Sequence, residues 1–246
     1  MRLRAFYAIL PIALCVVSAG FCSDAGERGY DCYFKNDLRG ALASYRINLN
    51  EALRSADNVR EVICLNNLAT VYYGLANLDS AAGYIRLAKA ASQANPSLAA
   101  LAAINEQLLF FPSETTDISA DAVEDLEDLL SAYEYASVLI GWGRVKLVRN
   151  EPNEALSLFE KAQKKLKKGK NPLGLANVAY YTARALKAQG EAKDALKQAD
   201  EGERLYRIKN HVQGIKKCLV LKEALYRSLS DTQQADDIKR RINNLR

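Results

Sequence analysis

The sequence predicts an all-α chain of stacked helical hairpins. Three observations carry that expectation. Ala, Leu, Lys and Glu, all strong helix formers, dominate the composition. Prolines number 5 and glycines 13 in 246 residues, and β-branched runs are few. Small side chains also recur at one interval behind polar turns. Ala41 and Ala81 are 40 residues apart, as are Ala155, Ala195 and Ala235. A turn, an alanine and an apolar helix repeated at a fixed period is the pattern that a helical array requires.

Taken in order, residues 1–20 have the features of a secretory signal. Arg2 and Arg4 supply a basic start, Ala5 to Val17 an apolar stretch, and Ser18-Ala19-Gly20 small residues for cleavage. The stretch is short for a transmembrane helix. Its removal would take two charges from the net +5, and the remainder is too weak to argue for nucleic acid. Cys22 follows Phe21 instead of the small residue that precedes a lipidated cysteine in bacterial lipoproteins. Membrane contact is expected only through an N-terminal anchor or a lipid on Cys22. Cys32, Cys64 and Cys218 fall on apolar helical stripes and read as buried free thiols.

Residues 21–246 read as one repeat domain, with units centred on Ala41, Ala81, Ala122, Ala155, Ala195 and Ala235. Turn signals at Asn36-Asp37, Asp57-Asn58, Asn77, Asn95-Pro96, Asn171-Pro172, Asn210 and Ser230-Asp231 mark helix starts. The 74 residues between Ala81 and Ala155 must hold a divergent unit. Ser97 to Phe111 supplies its first helix and Ser119 to Leu130 its second, after a polar connection. Twelve helices in six pairs are expected.

The best-defined pair runs from Leu139 to Ala162. Leu139, Trp142 and Gly143 lie in its first helix, and Ala155, Phe159 and Ala162 on one face of its second. Leu65, Leu68, Ala69 and Tyr72, followed by Ala81, Ile85 and Ala88, repeat that order. The order resembles the tetratricopeptide (TPR) repeat, here of the long type with about 40 residues per unit. The resemblance implies a right-handed superhelical solenoid of about six antiparallel hairpins. It also implies that first helices line a concave groove. Carried over position by position, that groove would present Asn66, Thr70, Tyr73, Arg144, Tyr180, Arg184, Lys187 and Arg227. Residues spaced i, i+4 and i+7 share a helix face. Four cations beside Tyr and Asn suit an acidic peptide segment or a terminal carboxylate.

Chemistry is sparse. His211 is the one histidine, so neither a zinc site nor a Cys/His dyad can be assembled. It reads as a cap at a helix start. Gly169-Lys170 lacks the glycine spacing of a phosphate loop. Asp117, Asp121, Glu124, Asp125, Glu127, Asp128 and Glu134 read as a solvated face opposite Val123, Leu126, Leu129 and Leu130. No catalytic residue, metal or cofactor is expected. The leading expectation is an exported, non-enzymatic scaffold of the bacterial envelope that binds another protein or peptide in its groove. Two other readings stand beside it. One is a lipid-anchored factor for outer-membrane assembly or pilus biogenesis; the other is a hydrolase using the acidic residues 117–134.

Overall fold

A computed structural model describes residues 28–30, 32–33, 35–110, 118–168 and 171–245. The expected signal sequence, Cys22, Asp117 and Gly169-Lys170 lie outside the described residues. The described residues are helical throughout, with no strand among them. The chain divides into two compact units, Met1–Gly141 and Trp142–Arg246.

Twelve helices carry the described residues. They are α1 (Leu38–Ser55), α2 (Asn58–Gly74), α3 (Leu78–Ala91), α4 (Pro96–Phe110), α5 (Ala120–Glu124), α6 (Leu126–Leu129), α7 (Ala132–Val148), α8 (Pro152–Lys168), α9 (Pro172–Ala188), α10 (Ala192–Ile208), α11 (Val212–Ser228) and α12 (Thr232–Asn243). Residues 28–30 and 32–33 are helical as well.

Helix starts fall at 38, 58 and 78 in the first unit, and at 152, 172, 192, 212 and 232 in the second. Thus the half-repeat is 20 residues and the repeat 40. One turn geometry sets this spacing. Asn36, Ala56, Ala76, Asn150, Gly190, Asn210 and Ser230 all take left-handed φ values, between +50° and +85°. The N–H of the residue after each donates to the carbonyl five residues back, as in Asp57 to Ala52 (3.0 Å), Glu151 to Lys146 (2.9 Å) and His211 to Tyr206 (2.9 Å). That is the Schellman closure of a helix C-terminus. The same residue then starts the next helix. Asp37, Asp57, Asn77, His211 and Asp231 each accept a hydrogen bond from the N–H three residues on, removing one orphan donor. One residue thereby ends a helix and caps the next.

Packing follows chain order. In the first unit α2 packs on α1 and α3, and also meets α4; in the second α9 packs on α8 and α10, and also meets α11. The repeat alanines lie at these seams. Ala41, Ala81, Ala155, Ala195 and Ala235 are 0% exposed and Ala122 is 9% exposed. Larger groups fill the space beside them: Tyr45 and Ile85 in the first unit, Phe159 and Tyr206 in the second, all within 2% of full burial.

The divergent unit departs from expectation in one respect. Ser119 caps α5 through the Ala122 N–H (3.4 Å) as anticipated, but Ser119 to Leu130 is not one helix. It breaks at Asp125 into α5 and α6, and the chain is extended at Leu130. Glu124, Asp125, Glu127 and Asp128 crowd like charges at helical i, i+3 and i+4 spacings, which weakens a continuous helix. The next helix starts afresh. Ser131 N–H donates to Glu134 Oε2 (2.8 Å) and Glu134 N–H to Ser131 Oγ (3.3 Å), a reciprocal capping box.

Candidate functional site

The expected groove residues fall into separate environments. In the first unit Asn66 and Thr70, one turn apart on α2, are fully buried. Asn105 of α4 reaches them. Its Nδ2 donates to Asn66 O (3.0 Å) and Asn66 Oδ1 (3.1 Å), and Thr70 Oγ1 donates to Asn105 Oδ1 (3.5 Å). These groups join two first helices. Asn66 Nδ2 has no hydrogen-bond partner among the described residues. Tyr73 is half-buried, with its ring edge-on to Phe110 at 5.9 Å.

In the second unit Arg144, Tyr180 and Arg184 converge on a residue that the repeat pattern does not single out, Tyr181. The Arg144 guanidinium carbon lies 5.1 Å from the Tyr181 ring centroid and that of Arg184 5.8 Å. A cation near an aromatic face is attracted by the ring quadrupole. Tyr180 stands edge-on to Tyr181 at 5.0 Å, and Phe159 stacks on Tyr181 at 6.1 Å. Arg144 is 9% exposed, while Arg184 is exposed. The two arginines occupy equivalent slots one repeat apart, on α7 and α9.

The next first helix, α11, adds Lys217. Its side chain is half-buried. Burial, then the charges of Arg144 and Arg184, lower its ammonium pKa to about 7. The same surroundings push the Tyr180 hydroxyl up to about 12, chiefly through burial. Cys218 beside it is fully buried with its pKa raised to about 12, again first by burial. It is a packed thiol, inert as a nucleophile. Cys32, Cys64 and Cys218 are free.

Lys187 and Arg227 are not drawn into this cluster by any contact among the described residues. Lys187 is exposed on α9. Arg227 pairs with Glu223 (3.0 Å) on its own helix and with Asp236 (3.4 Å) on α12. A separate polar knot fastens the last three helices. Lys222 pairs with Asp200 (2.5 Å) and Glu203 (3.0 Å), and Glu203 also pairs with Arg207 (2.8 Å) and with Arg241. His211 takes the capping role expected of it. Its Nδ1 accepts from Gly214 N–H (2.9 Å) and its ring stacks on Tyr206 at 5.1 Å.

Asp121, Glu124, Asp125, Glu127 and Asp128 are exposed, and no group of three or more metal-ligating side chains occurs among the described residues. No described helix is long and apolar enough to cross a membrane. Sequence reasoning missed Tyr181, Lys217 and Asn105. Asn105 carried a usable signal, since it lies one turn of repeat beyond Asn66. Tyr181 and Lys217 carried none, because neither occupies a slot that the repeat pattern assigns to the groove.

No protein-family model matches the sequence, and no curated protein matches it. Among solved structures, the chain is similar to the crystal structure of BtubC (BKLC) from P. vanneervenii. The TM-score is 0.60 at 15% sequence identity, covering 85% of this chain and 90% of that one. The likeness concerns the fold.

Proposed function

We propose that this chain is an exported, TPR-like scaffold of the bacterial envelope whose first-helix face binds a segment of another protein. In this reading the helices form six antiparallel hairpins of a right-handed solenoid. Four features support the repeat: the 20-residue turn spacing, the buried alanines, the meeting of alternate helices α2 with α4 and α9 with α11, and the fold shared with BtubC. The observation that carries the binding role is the gathering of Arg144 and Arg184 around Tyr181. Aromatic rings and arginines are the side chains that dominate protein interfaces, because they combine apolar area with directed polar contacts. The partner segment is acidic, matching that cationic face.

The test is capture in the native envelope. Arg184 and Lys187 are exposed on one helix, so reversing both to Glu leaves the core intact. Wild-type chain and the Arg184→Glu, Lys187→Glu variant are crosslinked in cells, and the captured proteins are identified. Loss of specific partners from the variant, with its helical content unchanged, supports the reading. An unchanged set of partners removes it.

A further inference from the structure

We infer that Arg184 and Lys217, with Arg144 packed beside them, form a binding site for a doubly charged oxyanion of the phosphomonoester class. The inference rests on the reading of this face as a binding surface and specifies what it binds.

The argument starts from how this unit treats its other shielded lysines. Lys222 is 6% exposed and held by Asp200 and Glu203. Lys146, also half-buried, is held by Glu151 (2.8 Å) and Glu154 (2.6 Å). Each shielded ammonium has two carboxylates, as the cost of desolvating a charge requires. Lys217 is the exception. It has no hydrogen bond or ion pair among the described residues, and its charged neighbours on other helices are cations.

Those neighbours come from each element around it. Arg144 of α7 and Arg184 of α9 act on Lys217 directly. Asp200 and Glu203 of α10 are taken up by Lys222. His211, at the start of its own helix, is held neutral near pH 7 by burial, with its pKa lowered to about 4. Three successive first helices therefore bring three cationic side chains together, and no carboxylate pairs with Lys217.

Charge balance then selects the ligand. Two guanidiniums and an amine with a pKa near 7 carry between two and three positive charges at neutral pH. A carboxylate would offset one. A phosphomonoester carries roughly −1.5 to −2 at pH 7 and presents three acceptor oxygens. Its oxygens suit the planar fork of Arg184 together with the mobile donors of Lys217. The phosphoryl group belongs either to a free phosphate compound or to a phosphorylated side chain on the bound segment, and the probes below separate the two.

The test uses the full-length purified chain and calorimetric titration at constant ionic strength. The probes are inorganic phosphate, acetate, and a short glycine-flanked phosphoserine peptide with its glutamate counterpart. Phosphate is expected to bind at least about tenfold more tightly than acetate, and the phosphoserine peptide more tightly than the glutamate one. Lys217→Met and Arg184→Gln are each expected to weaken phosphate binding about tenfold, with the thermal midpoint of Lys217→Met unchanged or raised. The Lys217 side-chain resonance should titrate at a higher pH when phosphate is bound. A phosphopeptide tighter than inorganic phosphate assigns the site to a modified segment; parity assigns it to free phosphate. Either supports the site. Phosphate binding no tighter than acetate, or unchanged in both variants, overturns it. If phosphate fails to bind yet the Arg184→Glu, Lys187→Glu variant loses its captured partners, the oxyanion site falls and the protein-binding surface stands. If phosphate binds and partners are unchanged, the reverse holds.

Discussion

Gly143 of α7 lies against the ring of Phe159 of α8 so closely that a Cβ at Gly143 would stand 2.4 Å from Phe159 Cε1. The same relationship recurs one helix pair on, where a Cβ at Gly214 would meet the Tyr206 ring at 2.4 Å. In each pair the missing side chain on the first helix is filled by a ring from a neighbouring helix.

Gly143→Ala is therefore expected to destabilise the protein by about 1–2 kcal/mol. Helix propensity favours alanine by about 1 kcal/mol, but overpacking costs roughly 1–3 kcal/mol. Phe159 is fully buried and stacked on Tyr181, so it has little room to yield. Gly83, also helical, is the control. A Cβ there meets nothing nearer than Arg86 at 4.0 Å, so Gly83→Ala should stabilise by up to about 1 kcal/mol. Urea unfolding midpoints of the two variants should move in opposite directions.

The turn geometry gives a substitution with a less usual sign. Ala56 and Ala76 hold φ values of 52° and 58°, a conformation costing an L-residue roughly 1 kcal/mol or more. Gly relieves that cost but raises the entropy of the unfolded chain. Ala56→Gly and Ala76→Gly are expected to be neutral or to stabilise by about 0.5 kcal/mol. At Gly190, with φ of 85° and open space around it, Gly190→Ala should instead cost about 1 kcal/mol. Chemical denaturation of the three variants checks both directions.

The knot around Glu203 should resist removal of one member more than replacement of the group. Glu203 is 5% exposed and Lys222 6%. Glu203→Ala leaves the Lys222 ammonium with Asp200 alone and is expected to destabilise by about 3 kcal/mol, whereas Glu203→Ala with Lys222→Met should recover much of that loss. Burial raises the Glu203 pKa, but hydrogen bonds from Arg207 and Lys222 and the charges of Lys222 and Arg241 bring it below the ordinary value. The folded-state pKa lies below the unfolded one. The stabilisation is thus complete above the unfolded pKa, near 4.5, and is lost as pH falls through the folded value. Thermal midpoints measured from pH 7 down to 3 should fall less steeply in the double variant.

His211 adds a second acid-sensitive element. Burial first, and Lys217 second, hold its pKa at about 4 against an ordinary 6.5. The neutral ring is the one that accepts from Gly214 N–H. With the folded pKa depressed, its contribution is full above about pH 6.5 and lost as pH falls toward 4, on the order of 2 kcal/mol. His211→Asn keeps a capping acceptor without the titration. Its stability should change less than the wild type's between pH 6.5 and 4, as read by denaturant unfolding at each pH.

Much of the local architecture was legible in the chain itself. The spacing of Ala41, Ala81, Ala155, Ala195 and Ala235 located the helix seams, and the Asp, Asn and Ser at polar turns located the caps. The cap at His211 and the close approach at Gly143 were readable for the same reason. Capping acts over three residues and helical periodicity over seven, so a contiguous stretch contains the whole determinant. The left-handed turns were harder to see, because six of the seven use Asn, Ala or Ser where glycine is the usual signal. The break at Asp125 was hidden by a well-formed apolar stripe.

The composition of the cationic face was decided elsewhere. Arg144 and Arg184 occupy equivalent slots, but nothing within either helix places both beside Tyr181, or brings Lys217 to them from a third. Likewise Asn66 and Thr70 share a helix face by sequence, yet their burial against Asn105 depends on α2 meeting α4. The chain alone determined where helices begin, end and expose small residues, because those outcomes follow from backbone hydrogen bonding between near neighbours. The tertiary structure determined which charges become neighbours, because side-chain proximity across separate helices is set by how successive hairpins pack.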